Sequence, residues 1–439
     1  TFMALNIAIV GSGIAGLSAA WWLAKNHNVT IYEKKSQLGL GSEGIEVETL
    51  NGPQRVDVPP RVINQKHYPQ LFSLLQAAKV DTYAIFQQPS FHHANGLSYF
   101  SVASKTLNLP IFGKRTFSWP NFKFHNIPWL SKHGLTLLRW KRLLKSESYK
   151  NLDNSITLNM WLKQHKFSGA FANEFLFPIW SLMCSANQQE LNQYPAKALA
   201  QIFHSFAGTS ESRRIQGGTL ELEKKLIKAV KDIKLDHTVL SVSKNGLGAK
   251  VFTNKSQQVY DHVIIATEPS IAKHFLDESL INEKALLNRV PYRLTDMVMH
   301  TDSQLMPKKK QNWSAINMMK GESQELWATL WMNNIESKNL PFNIFQSWDP
   351  VANIPEDELL ARRTFHRTLL TPDSAAAMAQ LTELQTQNQH DRHIWFAGSY
   401  LTEQVPLLED GVRSAKMVSQ LIEESHNLSS SQQELKKTA

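Results

Sequence analysis

Residues Ile7 to Glu33 read as a strand, a glycine-rich turn, a helix and a second strand that ends on an acid. The turn is Gly11-Ser12-Gly13-Ile14-Ala15-Gly16, and its spacing gives each glycine a task. Gly11 permits the tight turn out of the strand, Gly13 lets backbone approach a pyrophosphate, and Gly16 lets helix and sheet pack closely. The amides that open the helix at Ile14 to Leu17 present the positive end of the helix dipole to phosphates. Glu33, twenty residues past Gly13, is placed to accept hydrogen bonds from ribose hydroxyls. A lone glycine triplet would say little. Here the apolar strand Ile7-Ala8-Ile9-Val10, the helix Leu17 to Ala24 and the strand Val29 to Tyr32 supply the context, so the amino end is a dinucleotide-binding unit.

A chain of 439 residues is too long for one ordinary core and divides into roughly two or three lobes. Its 47 Lys and Arg against 38 Asp and Glu give a net charge of +9, which attracts phosphates, acidic lipids or nucleic acid without selecting among them. The placement of that charge is more specific. From Lys114 to Lys150 there are nine basic residues and one acid, Glu147, interleaved with Phe117, Trp119, Phe122, Phe124, Trp129 and Trp140. No recognised nucleic-acid motif accompanies the charge, so nucleic acid is not an expected partner. The single Cys184 has no internal partner and no His/Cys pair has metal-site spacing, so no metal is expected and a reducing compartment fits. The start carries no charged leader, and no stretch approaches ~18 uncharged apolar residues. The expectation is a soluble, cytoplasmic protein.

Further along, Ile45 to Val58 reads as hairpin-like, Tyr68 to Lys79 as helical, and Ala84 to Tyr99 as strands. A long polar and aromatic segment, Phe112 to Asp153, precedes helical periodicity at Trp161 to Phe175 and Ala196 to Phe206. Val263-Ile264-Ile265-Ala266-Thr267 has the continuous apolar character of a buried parallel strand. Ile394-Trp395-Phe396-Ala397 repeats it near the carboxyl end, before Gly398 and a last helix opening at Asp410-Gly411. One nucleotide half thus lies at each end of the chain. A second Gly-x-Gly-x-x-Gly unit for a nicotinamide cofactor is missing, and the cofactor reads as a single FAD. The expected architecture is α/β: a discontinuous Rossmann-like FAD-binding domain (1–80, 207–270 and 390–426) with an inserted α+β substrate domain (81–206 and 271–389). The polar tail 427–439 reads as disordered.

Gly398-Ser399 and Glu409-Asp410-Gly411-Val412-Arg413-Ser414-Ala415 resemble the flavin-containing amine oxidase superfamily, of glutathione-reductase-like FAD-binding type. Val56-Asp57, Gly217-Gly218-Thr219, His300-Thr301-Asp302 with Leu305-Met306-Pro307, Trp313-Ser314 with Asn317, and Phe396-Ala397-Gly398 are similar to a narrower group. These are bacterial FAD/NAD-binding oxidoreductases often encoded beside cyclopropane fatty acid synthases. The resemblance implies that the last helix points its amino end at the flavin ring. It also implies a lipid-like substrate, by gene neighbourhood. Two stretches depart from the superfamily pattern: Gly39-Leu40-Gly41 stands where Gly-Gly is usual, and Val58-Pro59-Pro60-Arg61 stands where glycines are usual. The prolines stiffen that loop. Arg61 reads either as a positive charge near the ring or a carboxylate, and so a catalytic candidate, or as a surface arginine after a proline turn.

The candidate cofactor contacts are Gly11, Ser12, Gly13, Ile14, Ala15, Gly16, Glu33, Lys34, Leu40, Gly41, Val239, Ala266, Thr267, Gly398, Ser399, Asp410, Gly411, Val412 and Ala415. Thr267 fits an ordinary strand end equally well. Trp180, Ser181 and Cys184 are candidates for a substrate pocket, with core packing as the alternative. A flavin accepts a hydride at its N5 edge, so the protein has to hold a C–H bond beside it in a dry pocket, and no triad or metal is required. Between Leu137 and Lys145, Leu137, Trp140, Leu143 and Leu144 share one helical arc while Arg139, Lys141, Arg142 and Lys145 share the other. That pattern suits peripheral contact of 114–150 with an anionic membrane at its inner face, or a helix packing its leucines on the substrate lobe. The leading expectation is an FAD-dependent oxidoreductase acting on a fatty-acyl or lipid-like substrate by oxidation, desaturation or redox-neutral isomerisation. An amine oxidase using oxygen and a non-catalytic flavin carrier are the alternatives, and the sequence assigns no oligomeric state.

Overall fold

The computed structural model describes residues 3–438 apart from 86–87, 110–112, 122, 168, 207–210, 247, 323–324, 337–339 and 388. Phe122 of the basic aromatic run and the start of the segment 207–270 therefore lie outside the described residues. The two apolar runs far apart in sequence meet in one five-stranded parallel sheet. Its order is Asp232–Lys234, Asn28–Tyr32, Asn6–Val10, His262–Ile265 and Ile394–Phe396. Val10 pairs with Tyr32 on one side and Ile265 on the other. Both faces are covered, which is why these strands are continuously apolar rather than alternating. Helix Ile14–Leu23 and helix Leu408–Thr438 pack on one face with Ile7, Ile9, Ile264 and Trp395. A three-stranded antiparallel meander, Val239–Asn245, Gly248–Thr253 and Gln257–Tyr260, packs Val242 and Val251 against Ala8, Val10 and Ile265 on the other.

The rest forms an eight-stranded mixed sheet. Its order is Leu359–Thr368, Tyr292–His300, Phe345–Trp348, Leu326–Trp331, Ile316–Lys320, Pro89–His93, Ser98–Leu109 and Gly113–Pro120. All pairs are antiparallel except Ile316–Lys320 with Pro89–His93. A layer of helices covers it, and its core is aromatic. The buried Trp140 ring stands edge-on to Trp161, Phe167, Trp180 and Phe203 at centroid distances of 5.6, 5.3, 5.9 and 5.4 Å. Such pairs contribute about 0.5–1.5 kcal/mol beyond the area they bury.

Two segments bear on the sequence expectation, and in the second the packing alternative holds. The tail from Asn427, read as disordered, lies along the last helix, which runs to Thr438. Its Gln, Glu, Leu and Lys are good helix formers and no Gly or Pro interrupts them, so propensity carries on what packing starts. The amphipathic stretch Leu137 to Lys145 is the end of a longer helix, Asn126–Lys145. Its Trp129, His133, Leu137, Trp140 and Leu144 are buried in the lobe, so this apolar arc packs inward. Among the described residues no helix is long and apolar enough to cross a membrane.

Candidate functional site

Three glycines shape the turn at the sheet's carboxyl edge in three ways. Gly11 has φ +104°, and a Cβ there would lie 2.9 Å from the Ala266 carbonyl oxygen. A Cβ on Gly16 would lie 2.0 Å from the Gly11 oxygen, so its absence lets the helix sit against the turn. A Cβ on Gly13 would meet nothing within 4 Å. It would project into a cavity of about 1150 Å³ that Gly11, Ser12, Gly13 and Ile14 line. The Ser12 hydroxyl ties this turn to its surroundings by donating to Glu33 Oε2 at 2.5 Å and accepting from Gly39 N at 2.7 Å. Glu33 also accepts from Ser12 N at 3.2 Å and from Lys35 N at 3.0 Å. Each carboxylate oxygen carries two lone pairs, so Glu33, on the cavity wall, retains capacity for ribose hydroxyls.

Lys34, Leu40, Val239, Ala266, Thr267 and Ser399 line the same cavity. The Thr267 hydroxyl is buried and has no hydrogen-bond partner among the described residues, as expected of a group aimed at a ligand. Together with the open Gly13 position, it shows that the cradle fits a dinucleotide. Other candidates serve the scaffold. Ala15 and Gly16 pack inside the first helix turn, and Gly41 N is held by buried Glu223 at 2.7 Å, leaving Gly39 and Leu40 to face the cavity. Gly398 is fixed by Ser414, whose hydroxyl accepts from its N–H and donates to its carbonyl, both at 3.0 Å. Gly411 touches Ile14, while Val412 and Ala415 are core. Asp410 accepts from Leu407 N at 3.0 Å, and burial pushes its carboxyl up to about 6. It closes the helix start rather than touching a ligand. The helix reaches the cavity through its first residue, Leu408, and through Pro406 and Leu407 just ahead of it.

Beyond the cradle the cavity runs between apolar walls that include Phe91, Phe100, Leu137, Trp140, Phe175 and Phe203. The substrate candidates fall elsewhere. Trp180 is fully buried and donates its Nε1–H to the Leu199 carbonyl at 3.0 Å, and Cys184 is core with its thiol pushed up to about 12 by burial. Ser181 borders a separate void of about 40 Å³. Helical rotation instead gives the cavity face to Ile179, Leu182 and Met183. Arg61 does line the cavity, as does Arg367, which the sequence reading missed. Neither side chain has a hydrogen bond or ion pair with a described residue, and Arg367 Nε is buried without a partner. Burial and the neighbouring Arg367 charge bring Arg61 down to about 10, so it stays protonated at neutral pH. A strand arginine carries no motif, and only the assembled cavity singles it out.

A nucleotide cradle on a parallel sheet, opening into a chamber under a mixed sheet, is the architecture of a flavin-dependent oxidoreductase. Residues 14–362 match the family model for flavin containing amine oxidoreductases, and the chain belongs to that family. Its members bind FAD, and the chain is an FAD-dependent oxidoreductase with the expected discontinuous fold. Among solved structures, cyclohexylamine oxidase from Brevibacterium oxydans aligns with TM-score 0.63 and 14% identity over 96% of this chain and 99% of that one. The CLA-producing fatty acid isomerase from P. acnes aligns with TM-score 0.63 and 12% identity over 95% and 99%. Putrescine oxidase bound to putrescine gives TM-score 0.61 and 11% identity over 95% and 98%. At such identities the likeness shows the fold. No curated protein matches the sequence.

Proposed function

We propose that this oxidoreductase acts on a hydrophobic, fatty-acyl or lipid-like substrate, by oxidation, desaturation or redox-neutral isomerisation. One observation carries the reading: the nucleotide cradle and an aromatic, aliphatic chamber are a single cavity of about 1150 Å³. Bound flavin supplies hydride acceptance at the reacting carbon. The chain's residues supply the rest. Phe91, Phe100, Phe175 and Phe203 desolvate an acyl chain and exclude water, and the stiff Pro59-Pro60 loop on the cavity wall limits how it lies. The fatty acid isomerase neighbour supports the reading, whereas two amine oxidase neighbours favour amines. Against amines stand Arg61 and Arg367, whose charges repel a protonated amine in a low-dielectric chamber. The test is to incubate flavin-loaded protein without oxygen with unsaturated C16–C18 fatty acids and with aliphatic amines. The expected result is flavin bleaching or a shifted double bond with the acids and no change with the amines. Bleaching by amines alone, with peroxide on admitting air, would assign the amine reaction instead.

We further propose that the basic lobe meets an anionic bilayer, from which acyl chains enter. Although the arc Leu137, Trp140 and Leu144 is used internally, helix Asn126–Lys145 turns Leu135 (81% exposed) and Leu138 (62%) outward. Exposed Lys132, Arg139, Arg142 and Lys145 flank them, and Phe124 is 92% exposed just before the helix. Lys141, Lys145 and Trp119 stand on the cavity's rim. Basic residues near an anionic surface contribute about 1 kcal/mol each. Vesicles containing phosphatidylglycerol should therefore sediment the protein, phosphatidylcholine vesicles should not, and salt or Leu135→Glu/Leu138→Glu should release it. Equal binding to both vesicle types would remove the electrostatic argument.

A further inference from the structure

The strongest unassigned feature is the pair of arginines in the cavity. Several other buried or half-buried arginines have acids: Arg214 has Glu336 and Asp57, Arg392 has Glu283, and Arg293 has Asp349. Arg61 and Arg367 have none among the described residues. The two acids whose charges reach Arg61 are committed elsewhere, Asp57 to Thr219 and Arg214, and Glu43 to Lys35 and Arg363. Arg367 stands on strand Leu359–Thr368 and lines the same cavity as the loop Val58-Pro59-Pro60-Arg61 and helix Phe177–Cys184. That helix presents only Ile179, Leu182 and Met183 to the cavity. Two unneutralised guanidiniums on one cavity wall, partly out of water, are costly unless an anion completes them. Each offers five donors in a planar fork suited to the two oxygens of a carboxylate.

We infer that Arg61 and Arg367 anchor an oxyanion at one end of the apolar chamber, and that it is the carboxylate of the substrate, making the substrate a free apolar carboxylic acid rather than an ester or amide. The inference rests on the acyl reading above and narrows it. A flavin phosphate offers the same oxyanion chemistry, so the test has to separate the two sources. Flavin-loaded protein is titrated with oleate and with methyl oleate below their aggregation limits, following the flavin spectrum, and flavin per protein is measured for Arg61→Gln, Arg367→Gln and Arg367→Lys. The wild type should bind oleate at least ~10-fold tighter than its ester, the equivalent of about 1.4 kcal/mol. Both Gln variants should erase that preference with flavin content unchanged. Arg367→Lys, which keeps the charge but not the fork, should restore part of it. Gln variants that lose flavin yet keep the preference would reassign the pair to the cofactor. Equal wild-type affinity for acid and ester would overturn the anchor while leaving the acyl reading intact, and this arm needs no variant to fold. Failure of both lipids to bind would overturn the acyl reading and the anchor with it.

Discussion

Gly13→Val is expected to give a folded protein that purifies without flavin. The side chain would enter open cavity space, since a Cβ at this position has no protein atom within 4 Å. Backbone torsions are not an obstacle either, because Gly13 sits at φ −73°, which valine tolerates. The branched side chain takes the place that a pyrophosphate needs against the turn. Flavin per protein should fall at least ~10-fold, or about 1.4 kcal/mol of binding, while the far-UV circular dichroism of the apoprotein stays that of wild-type apoprotein. Gly16→Val is the contrasting control. Its Cβ would overlap the Gly11 carbonyl, so it should lose fold and flavin together. A Gly13→Val protein as yellow as wild type would place the nucleotide elsewhere.

Arg214→Met should be the most destabilising single change among the charged residues. Arg214 Nη1 lies 2.5 Å from Glu336 Oε1 and Nη2 3.8 Å from Asp57 Oδ2, with all three side chains buried. The first contact is an ion pair without aligned hydrogen-bond geometry. Removing the cation withdraws the Arg214 charge from the buried Asp57 and Glu336 carboxylates, and breaking a buried ion pair usually costs about 3–5 kcal/mol. Asp57 also accepts from Thr219 N at 3.0 Å, and its carbonyl accepts from Gln346 Nε2 at 2.8 Å, so it pins the loop leading to Arg61 between the two sheets. Urea unfolding of flavin-loaded protein, followed by tryptophan fluorescence, measures the change. A loss under ~1 kcal/mol, typical of a solvated pair, would show that water compensates the cluster.

The nucleotide cradle was legible because its information is local: turn, helix and acid lie within Gly11 to Glu33, and each has a steric or electrostatic reason for its place. The two distant apolar strands were legible too, since burial on both faces leaves a continuous run. The chamber was not. Whether Trp180 or Leu182 faces a cavity depends on what packs against the helix, and residue type alone favours the larger ring. His92 shows the same limit, since nothing in residue type marks it as interior beside exposed His93. In the fold it is buried, bonded to Ser90 Oγ at 2.7 Å and Ser98 Oγ at 2.8 Å, and burial brings it down to about 3. Arg367 lies 306 positions from Arg61, so only tertiary assembly puts them in one cavity.

The order of the parallel sheet also bears on how the protein is made. Strand Asn6–Val10 gains its second neighbour only when His262–Ile265 exists, 230 residues after Tyr32 closes the first pairing. At ribosomal speeds that is a wait of roughly 10 to 50 s. Through that interval a nascent chain carries an apolar strand with one bare edge, the kind of template that invites pairing with another chain. Expression of this protein should therefore depend on holding factors that shield the amino-terminal unit until translation is nearly finished.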